Sequence, residues 1–182
     1  MNPKPHRFIF LDRDGVINQD TGYVHTLKAF EFKPGCLHAL QILHQYGYQF
    51  IVVTNQSGIA RGYFSESDYE TLSYWLQNTL MSVGIPLRIY HCPHLPEHDC
   101  DCRKPKPGLF LKAKKDLRIV MQDAWMIGDQ ERDIQAAIAA GIQRHILFSE
   151  KDHSSLAKIT CQHWSEIYQI ILKTEGIRPK KR

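Results

Sequence analysis

The sequence predicts an α/β fold, a three-layer α/β/α sandwich built around a mainly parallel, doubly wound sheet. Two observations carry that expectation. Short continuous apolar runs, the kind that fill strands buried on both faces, alternate with segments of helical periodicity. Three of these runs end in a residue capable of chemistry, namely Asp12, Thr54 and Asp129. In open parallel sheets, ligands bind at the carboxyl ends of the strands.

The first run is Phe8 to Leu11, ending at Asp12. A helical pattern follows from Pro34 to Tyr46, with Leu37, Leu40, Ile42 and Leu43 near helical spacing and Gly47 as its stop. Phe50 to Val53 is the second run, ending in Thr54 and Asn55. Ser65 is a good N-cap, with Asp68 three residues on in the place of a capping-box acid, and the helix it opens extends to about Val83. Pro107-Gly108 opens another, to about Leu117. Ala124 to Ile127 is the third run, ending at Gly128-Asp129, and an alanine-rich helix from Glu131 to Ala140 stops at Gly141. Arg144 to Phe148 is a fourth strand, and Ser165 to Lys173 a last amphipathic helix. The basic tail from Arg178 to Arg182 reads as a frayed terminus.

With 182 residues, 43% of them hydrophobic and 23% charged, one domain over residues 1–182 is expected. No large insertion stands between Gly15 and Pro34 or after Thr54, so no large cap domain is expected, and the open site suggests a monomer. A net charge of +4 is far from the concentrated basic stripe of a nucleic-acid binder, and suits an anionic small molecule. The apolar run behind the charged N-terminus is only Phe8 to Leu11, too short for a signal peptide or a membrane span, which points to the cytoplasm and to no membrane partner. A reducing compartment argues against reading the five cysteines as disulfides.

Four groups carry chemistry. Asp12-Arg13-Asp14-Gly15 puts two carboxylates together at a buried strand end, where their repulsion calls for a divalent cation. Gly15 lets the chain turn away. Thr54 to Gly62 combines a hydroxyl, side-chain amides, backbone N–H groups and Arg61, a set able to hold a phosphoryl group and a second anion. In Arg103 to Gly108 a lysine lies beside a helix start, a plausible phosphate clamp; Lys104 and Lys106 both fit. In Gly128 to Asp133, Asp129 can complete a Mg²⁺ site, because Mg²⁺ prefers one or two carboxylates with water and phosphate oxygens. Asp133 stands at a helix start, where an acid is favourable without a metal.

Cys92-Pro93-His94 and Cys100-Asp101-Cys102 are two short ligand pairs. Three thiolates and one imidazole make a closed tetrahedral Zn²⁺ site at residues 92–102, and a closed site is structural. It would hold Arg103 and Lys104, which follow directly. His94 is the preferred fourth ligand, with His91 and His98 as rivals. Cys36 and Cys161 read as packing residues.

Taken in order, the four groups resemble the signature motifs of the haloacid dehalogenase (HAD) superfamily, with its Rossmann-like sheet and mostly phosphatase members. The resemblance implies that Asp12 is the nucleophile of an aspartyl-phosphate intermediate and Asp14 the general acid and base. It implies that Thr54 and Lys104 bind the transferring phosphoryl group, and that Asp12, the backbone carbonyl of Asp14, and Asp129 hold Mg²⁺.

Within that superfamily the zinc-bearing branch offers two families. The segments Leu11 to Asn18, Asp20 to His25, Phe30 to Phe32 and Val52 to Gly62 resemble the D-glycero-D-manno-heptose-1,7-bisphosphate 7-phosphatases, over about residues 7 to 148. That resemblance implies a Mg²⁺-dependent hydrolase of a small sugar bisphosphate, serving nucleotide-activated heptose and lipopolysaccharide core synthesis. It implies substrate contacts from Asp20, Gly22, Tyr23, Asn55, Gln56, Ser57 and Arg103, with Arg61 beside them. The short loop Leu95 to Asp99 between the cysteine pairs instead resembles the histidinol-phosphate phosphatases of histidine biosynthesis, and that alternative stays open. Gln130 also departs, standing where the heptose family can carry a lysine.

Overall fold

The computed structural model describes residues 7–149 and 155–177. Six strands form one parallel sheet: β1 (Arg7–Leu11), β2 (Tyr48–Asn55), β3 (Leu87–Cys92), β4 (Trp125–Gly128), β5 (Arg144–Phe148) and β6 (Ile159–Cys161). Their order is β3-β2-β1-β4-β5-β6, with the central pairs in register at Ile9 with Phe50 and Ile9 with Trp125. The connection order reverses between β1 and β4, the switch point at which such sheets open a crevice.

The helices are α1 (Cys36–Gln45), α2 (Glu66–Ser82), α3 (Gly108–Leu117), α4 (Glu131–Ala139) and α5 (Trp164–Thr174). Alternate side chains along β1 enter two different cores, as the two-residue period of a strand requires. Ile9 and Leu11 pack with residues of α1, α2 and α5. Phe8 and Phe10 pack with residues of α3 and α4. The sheet is thus covered on both faces, which explains why β1, β2 and β4 are apolar without alternation.

The helix ends follow local chemistry. Ser65 Oγ accepts from the Asp68 N–H at 3.1 Å while Asp68 Oδ2 accepts from the Ser65 N–H at 2.8 Å, the expected capping box. Gly141, at φ +92°, follows α4 in the left-handed region that glycine enters without a Cβ clash. Trp164, at the start of α5, donates its indole N–H to the Val16 carbonyl at 3.0 Å and so ties the last helix to the turn after β1.

Two strands were not expected. In β3 and β6 the side chains are less uniformly apolar, because both are edges of the sheet. The strand expected over 50–53 runs from Tyr48 through Thr54 and Asn55, so those two residues are held by ladder pairing to β3. The helix expected from Pro34 to Tyr46 begins two residues later, after Gly35 at φ +78°. Among the described residues, no helix is long and apolar enough to cross a membrane. The expectations for the extreme N-terminus and for the tail at 178–182 lie outside the described residues, apart from Arg7.

Candidate active site

Asp12 follows the last residue of β1, Thr54 lies near the end of β2, and Asp129 follows β4. These strands are neighbours, so three polar strand ends meet at the switch point. They open into a cleft of about 340 Å³, within the range of small-molecule sites.

Asp12 is 6% exposed, and its Oδ1 accepts from the Arg13 N–H at 2.7 Å and forms an ion pair with Lys104 Nζ at 3.1 Å. Burial pushes its carboxyl up to about 7. Lys104 opposes that shift, and the neighbouring Asp133, Asp129 and Asp14 add to it. Lys104 is itself buried, beneath the cleft floor, and its ammonium reaches Asp12, Asp133 Oδ1 at 2.6 Å and the Val53 carbonyl at 2.7 Å. The attraction of the two carboxylates outweighs burial and holds its proton more tightly than usual. The Val53 contact is a hydrogen bond and the two carboxylate contacts are ion pairs.

The Lys104 backbone is fixed from the facing loop. Asn55 accepts from the Lys104 N–H at 3.0 Å and donates to the Lys104 carbonyl at 3.1 Å. Gln56 donates to Thr54 Oγ1 and to Asp14 Oδ2, both at 2.9 Å. With Thr54 Oγ1 accepting there, its own O–H is left to donate elsewhere. Asp14 also meets Arg13 and Asn18.

Residues that could hold a divalent cation stand together. Carboxylate oxygens of Asp12, Asp129 and Asp133 lie within 4.8 Å of one another. Among the described residues, Asp129 Oδ1 is buried with no hydrogen-bond partner, and burial, with Asp133 beside it, pushes the carboxyl up to about 6. Asp133 is otherwise engaged, with Lys104 on one oxygen and the Gln130 N–H on the other at 3.0 Å. Asp12 and Asp129 are therefore the pair that fits Mg²⁺, a cation content with two carboxylates. Gln130 donates to Asp129 Oδ2 at 3.0 Å. Gly15, at φ +84°, makes room for that acid: a Cβ there would lie 2.3 Å from Asp129 Oδ2.

The rim is cationic. Arg61, Arg103 and Arg132 line the cleft, together with Asp20, Gly22, Tyr23 and Ser57. Asp20 closes a tight turn by accepting from the Gly22 N–H at 2.9 Å, and Tyr23 sits at φ +51° with its ring half-exposed. Arg103 donates to the His94 carbonyl at 3.1 Å, so the cysteine loop does hold it. Lys106 turns away to the exposed Asp99, at 2.6 Å.

In the cysteine loop the four ligand atoms converge. The separations are 3.6 Å for Cys92 to His94, 3.5 Å for Cys92 to Cys100, 3.3 Å for His94 to Cys102 and 3.4 Å for Cys100 to Cys102. A zinc tetrahedron with Zn–S near 2.3 Å and Zn–N near 2.0–2.1 Å has edges of roughly 3.5–3.8 Å, which the four separations meet or fall short of by about 0.1–0.2 Å. His91 is instead paired with Glu66 at 2.6 Å and packed on Tyr69, and His98 Nδ1 accepts from the Leu95 N–H at 3.4 Å. Gly108 lets α3 start against this loop, since a Cβ would meet the Asp101 carbonyl at 2.2 Å.

Asp12, Asp14, Thr54, Asn55, Gln56, Ser57, Arg61, Arg103 and Asp129 line one cleft and Lys104 lies directly beneath it, whereas Lys106 stands outside. Sequence reasoning passed over Arg132 as a lining residue and over Asp133 as a third buried carboxylate. The signal was available for Arg132: a cation in the first turn of a helix opposes the helix dipole, which invites another explanation.

The HAD-hydrolase-like family model matches residues 101–159. A D-glycero-beta-D-manno-heptose-1,7-bisphosphate 7-phosphatase of Salmonella typhi is 48% identical over 147 residues, 76% of this chain and 78% of that one. A D-glycero-alpha-D-manno-heptose-1,7-bisphosphate 7-phosphatase of Photorhabdus laumondii is 43% identical over 146 residues, 76% and 80% of the two chains. The crystal structure of D,D-heptose 1,7-bisphosphate phosphatase from B. bronchiseptica, complexed with magnesium and phosphate, superposes with a TM-score of 0.80 at 29% identity. That match covers 92% of this chain and 99% of the other.

Proposed function

The chain belongs to the heptose-1,7-bisphosphate 7-phosphatase family of HAD-like phosphatases, and from that premise we propose how its residues hydrolyse the 7-phosphate of D-glycero-D-manno-heptose 1,7-bisphosphate. The observation that carries the reading is the buried Asp12, held through Oδ1 by Lys104 at the floor of a cleft rimmed by arginines.

Asp12 Oδ2 attacks phosphorus, and the sugar C7 oxygen leaves. Asp14 protonates that oxygen, then takes a proton from the water that hydrolyses the aspartyl phosphate. Thr54 donates its hydroxyl to a phosphoryl oxygen, and the Lys104 charge offsets the negative charge that gathers at the reacting carboxylate. Asp12, the Asp14 carbonyl and Asp129 would hold Mg²⁺, which supplies charge neutralisation between carboxylate and phosphate. The remaining phosphate meets Arg61 and Arg103, while Asp20, Gly22, Tyr23, Asn55, Gln56 and Ser57 form the wall that receives the sugar. Cys92, His94, Cys100 and Cys102 would hold Zn²⁺ in a structural role, fixing the loop at 92–102 that Arg103 and Lys104 directly follow.

Histidinol phosphate is not favoured. It brings cationic groups where this cleft offers Arg61, Arg103 and Arg132. The reading further takes the chain as a single catalytic domain, a cytoplasmic monomer without a nucleic-acid partner. Its test is ³¹P NMR of the protein incubated with heptose 1,7-bisphosphate and Mg²⁺. Heptose 1-phosphate and inorganic phosphate in equal amounts are expected; release of the anomeric phosphate instead would overturn it.

A further inference from the structure

Arg13 stands between the two reactive acids, and the chemistry above leaves it without a part. Its side chain is 1% exposed, and its guanidinium lies 5.9 Å from the Tyr69 ring centroid. Burying a guanidinium is expensive, and a buried ion pair rarely improves on apolar packing, so stability alone is a weak reason for its presence. Its contacts are informative. Arg13 Nε donates to Asp14 Oδ1 at 3.1 Å, and Nη2 reaches Asp14 Oδ1 at 2.9 Å and Oδ2 at 2.8 Å. The same Nη2 reaches the Val24 carbonyl at 2.6 Å and Gln56 Oε1 at 3.3 Å.

Two more donors complete the arrangement. Asn18 Nδ2 lies 2.9 Å from Asp14 Oδ1, and Gln56 Nε2 lies 2.9 Å from Asp14 Oδ2. Both oxygens of Asp14 are therefore gripped, from three separate places in the sequence. Val24 directly follows Tyr23 in the loop that walls the cleft, and Gln56 belongs to the loop after β2. Nη2 thus joins the wall, the phosphoryl-binding loop and the acid–base carboxylate, while Nε adds a second, fixed grip on Asp14. A lysine, as a point charge, would lose that two-nitrogen grip and with it the direction it imposes on the carboxylate.

We propose that Arg13, with Asn18 and Gln56, is the positioning device of the acid–base group: it fixes where the Asp14 carboxylate points and ties that direction to the loop carrying Tyr23. The proposal rests on the reading of Asp14 as the acid and base. The Arg13 guanidinium acts through Asp14; only the Arg13 backbone N–H meets Asp12, at 2.7 Å on Oδ1. Proton transfer needs hydrogen-bond contact with the leaving oxygen, and misplacement by about 1 Å costs on the order of 100-fold.

The test is a double-mutant cycle. Arg13→Lys in the parent should lower kcat on heptose bisphosphate by roughly 10- to 100-fold, with KM shifted less than about threefold. In the Asp14→Asn background the same substitution should change kcat by less than about threefold, because the group it positions is already gone. A purely structural role would reduce kcat by the same factor in both backgrounds, and that additive result overturns the proposal; so does full activity of Arg13→Lys. If Arg13→Lys melts below the assay temperature, Asn18→Ala removes another grip on Asp14 without stranding a charge, and it carries the same expectation. The cycle is run in parallel on 4-nitrophenyl phosphate. A parent that ignores heptose bisphosphate would refute the substrate while the cycle on the aryl ester still reads the coupling.

Discussion

Replacing Lys104 by methionine tests the electrostatic floor of the cleft. The stem keeps its length and the charge is lost. Lys104 Nζ now stands 3.1 Å from Asp12 and 2.6 Å from Asp133, with both side chains under a tenth exposed. Without it, those acids and Asp129 face one another with no cation, and removing one partner of a buried pair costs about 3–5 kcal/mol. For a chain of this size each kcal/mol lowers Tm by about 2–4 °C, so a fall of roughly 6–20 °C is expected in chelator at pH 8. The deficit should shrink at lower pH. Asp12 is already pushed up to about 7, against 3.8 for an ordinary aspartate, and Lys104 is the contact that lowers it. Losing Lys104 raises Asp12 further. A raised carboxyl binds its proton more tightly in the folded state, so stability is present below about pH 4 and lost as pH climbs through the folded value. Melting curves of parent and Lys104→Met at pH 5.5 and pH 8 read this directly. A drop below about 3 °C at pH 8, or the same drop at both values, would refute the reasoning.

Asp12→Asn should abolish turnover, by several orders of magnitude, while melting within a few degrees of the parent, since the amide matches the carboxylate in size; more than a few per cent residual activity in a clean preparation counts against the nucleophile. Mg²⁺ should raise Tm more at pH 8 than at pH 5.5, because it competes with protons on Asp12, raised to about 7, and Asp129, raised to about 6. His145, whose proton affinity burial lowers, runs the opposite way but equally with and without Mg²⁺, so it cancels in the difference. Metal analysis should find about one zinc per chain, and Cys100→Ser should lower Tm more than it lowers kcat on the surviving folded protein; protein purified without chelator and free of zinc would refute the site.

The central strands were legible because burial on both faces demands continuous apolar runs, as at Phe8 to Leu11 and Ala124 to Ile127. The edge strands β3 and β6 were not, because an edge tolerates residues such as Arg88 and Thr160 that break the run. Asp12, Thr54 and Asp129 announced themselves as polar residues closing apolar strands. Their convergence depended on the order of β2, β1 and β4, which sequence periodicity does not encode. Side-chain partners were less visible still. Asn55 spans the Lys104 backbone from 49 residues away, and Gln56 reaches Asp14 from 42 away. Both were expected only as substrate contacts. The short loop from Leu95 to Asp99 pointed toward a histidinol-phosphate enzyme, yet it connects the Cys92 and His94 pair to Cys100 and Cys102 and contributes no residue to the cleft lining.

The most direct test of the account is kcat/KM for heptose 1,7-bisphosphate and for histidinol phosphate, measured side by side with saturating Mg²⁺. Only the bisphosphate has a second anion for Arg61 and Arg103, and one charge-assisted contact is worth about 1.5–3 kcal/mol, or roughly ten- to a hundredfold. The account predicts that heptose bisphosphate is the better substrate by at least that factor; a histidinol phosphate value equal to or above it would contradict the account.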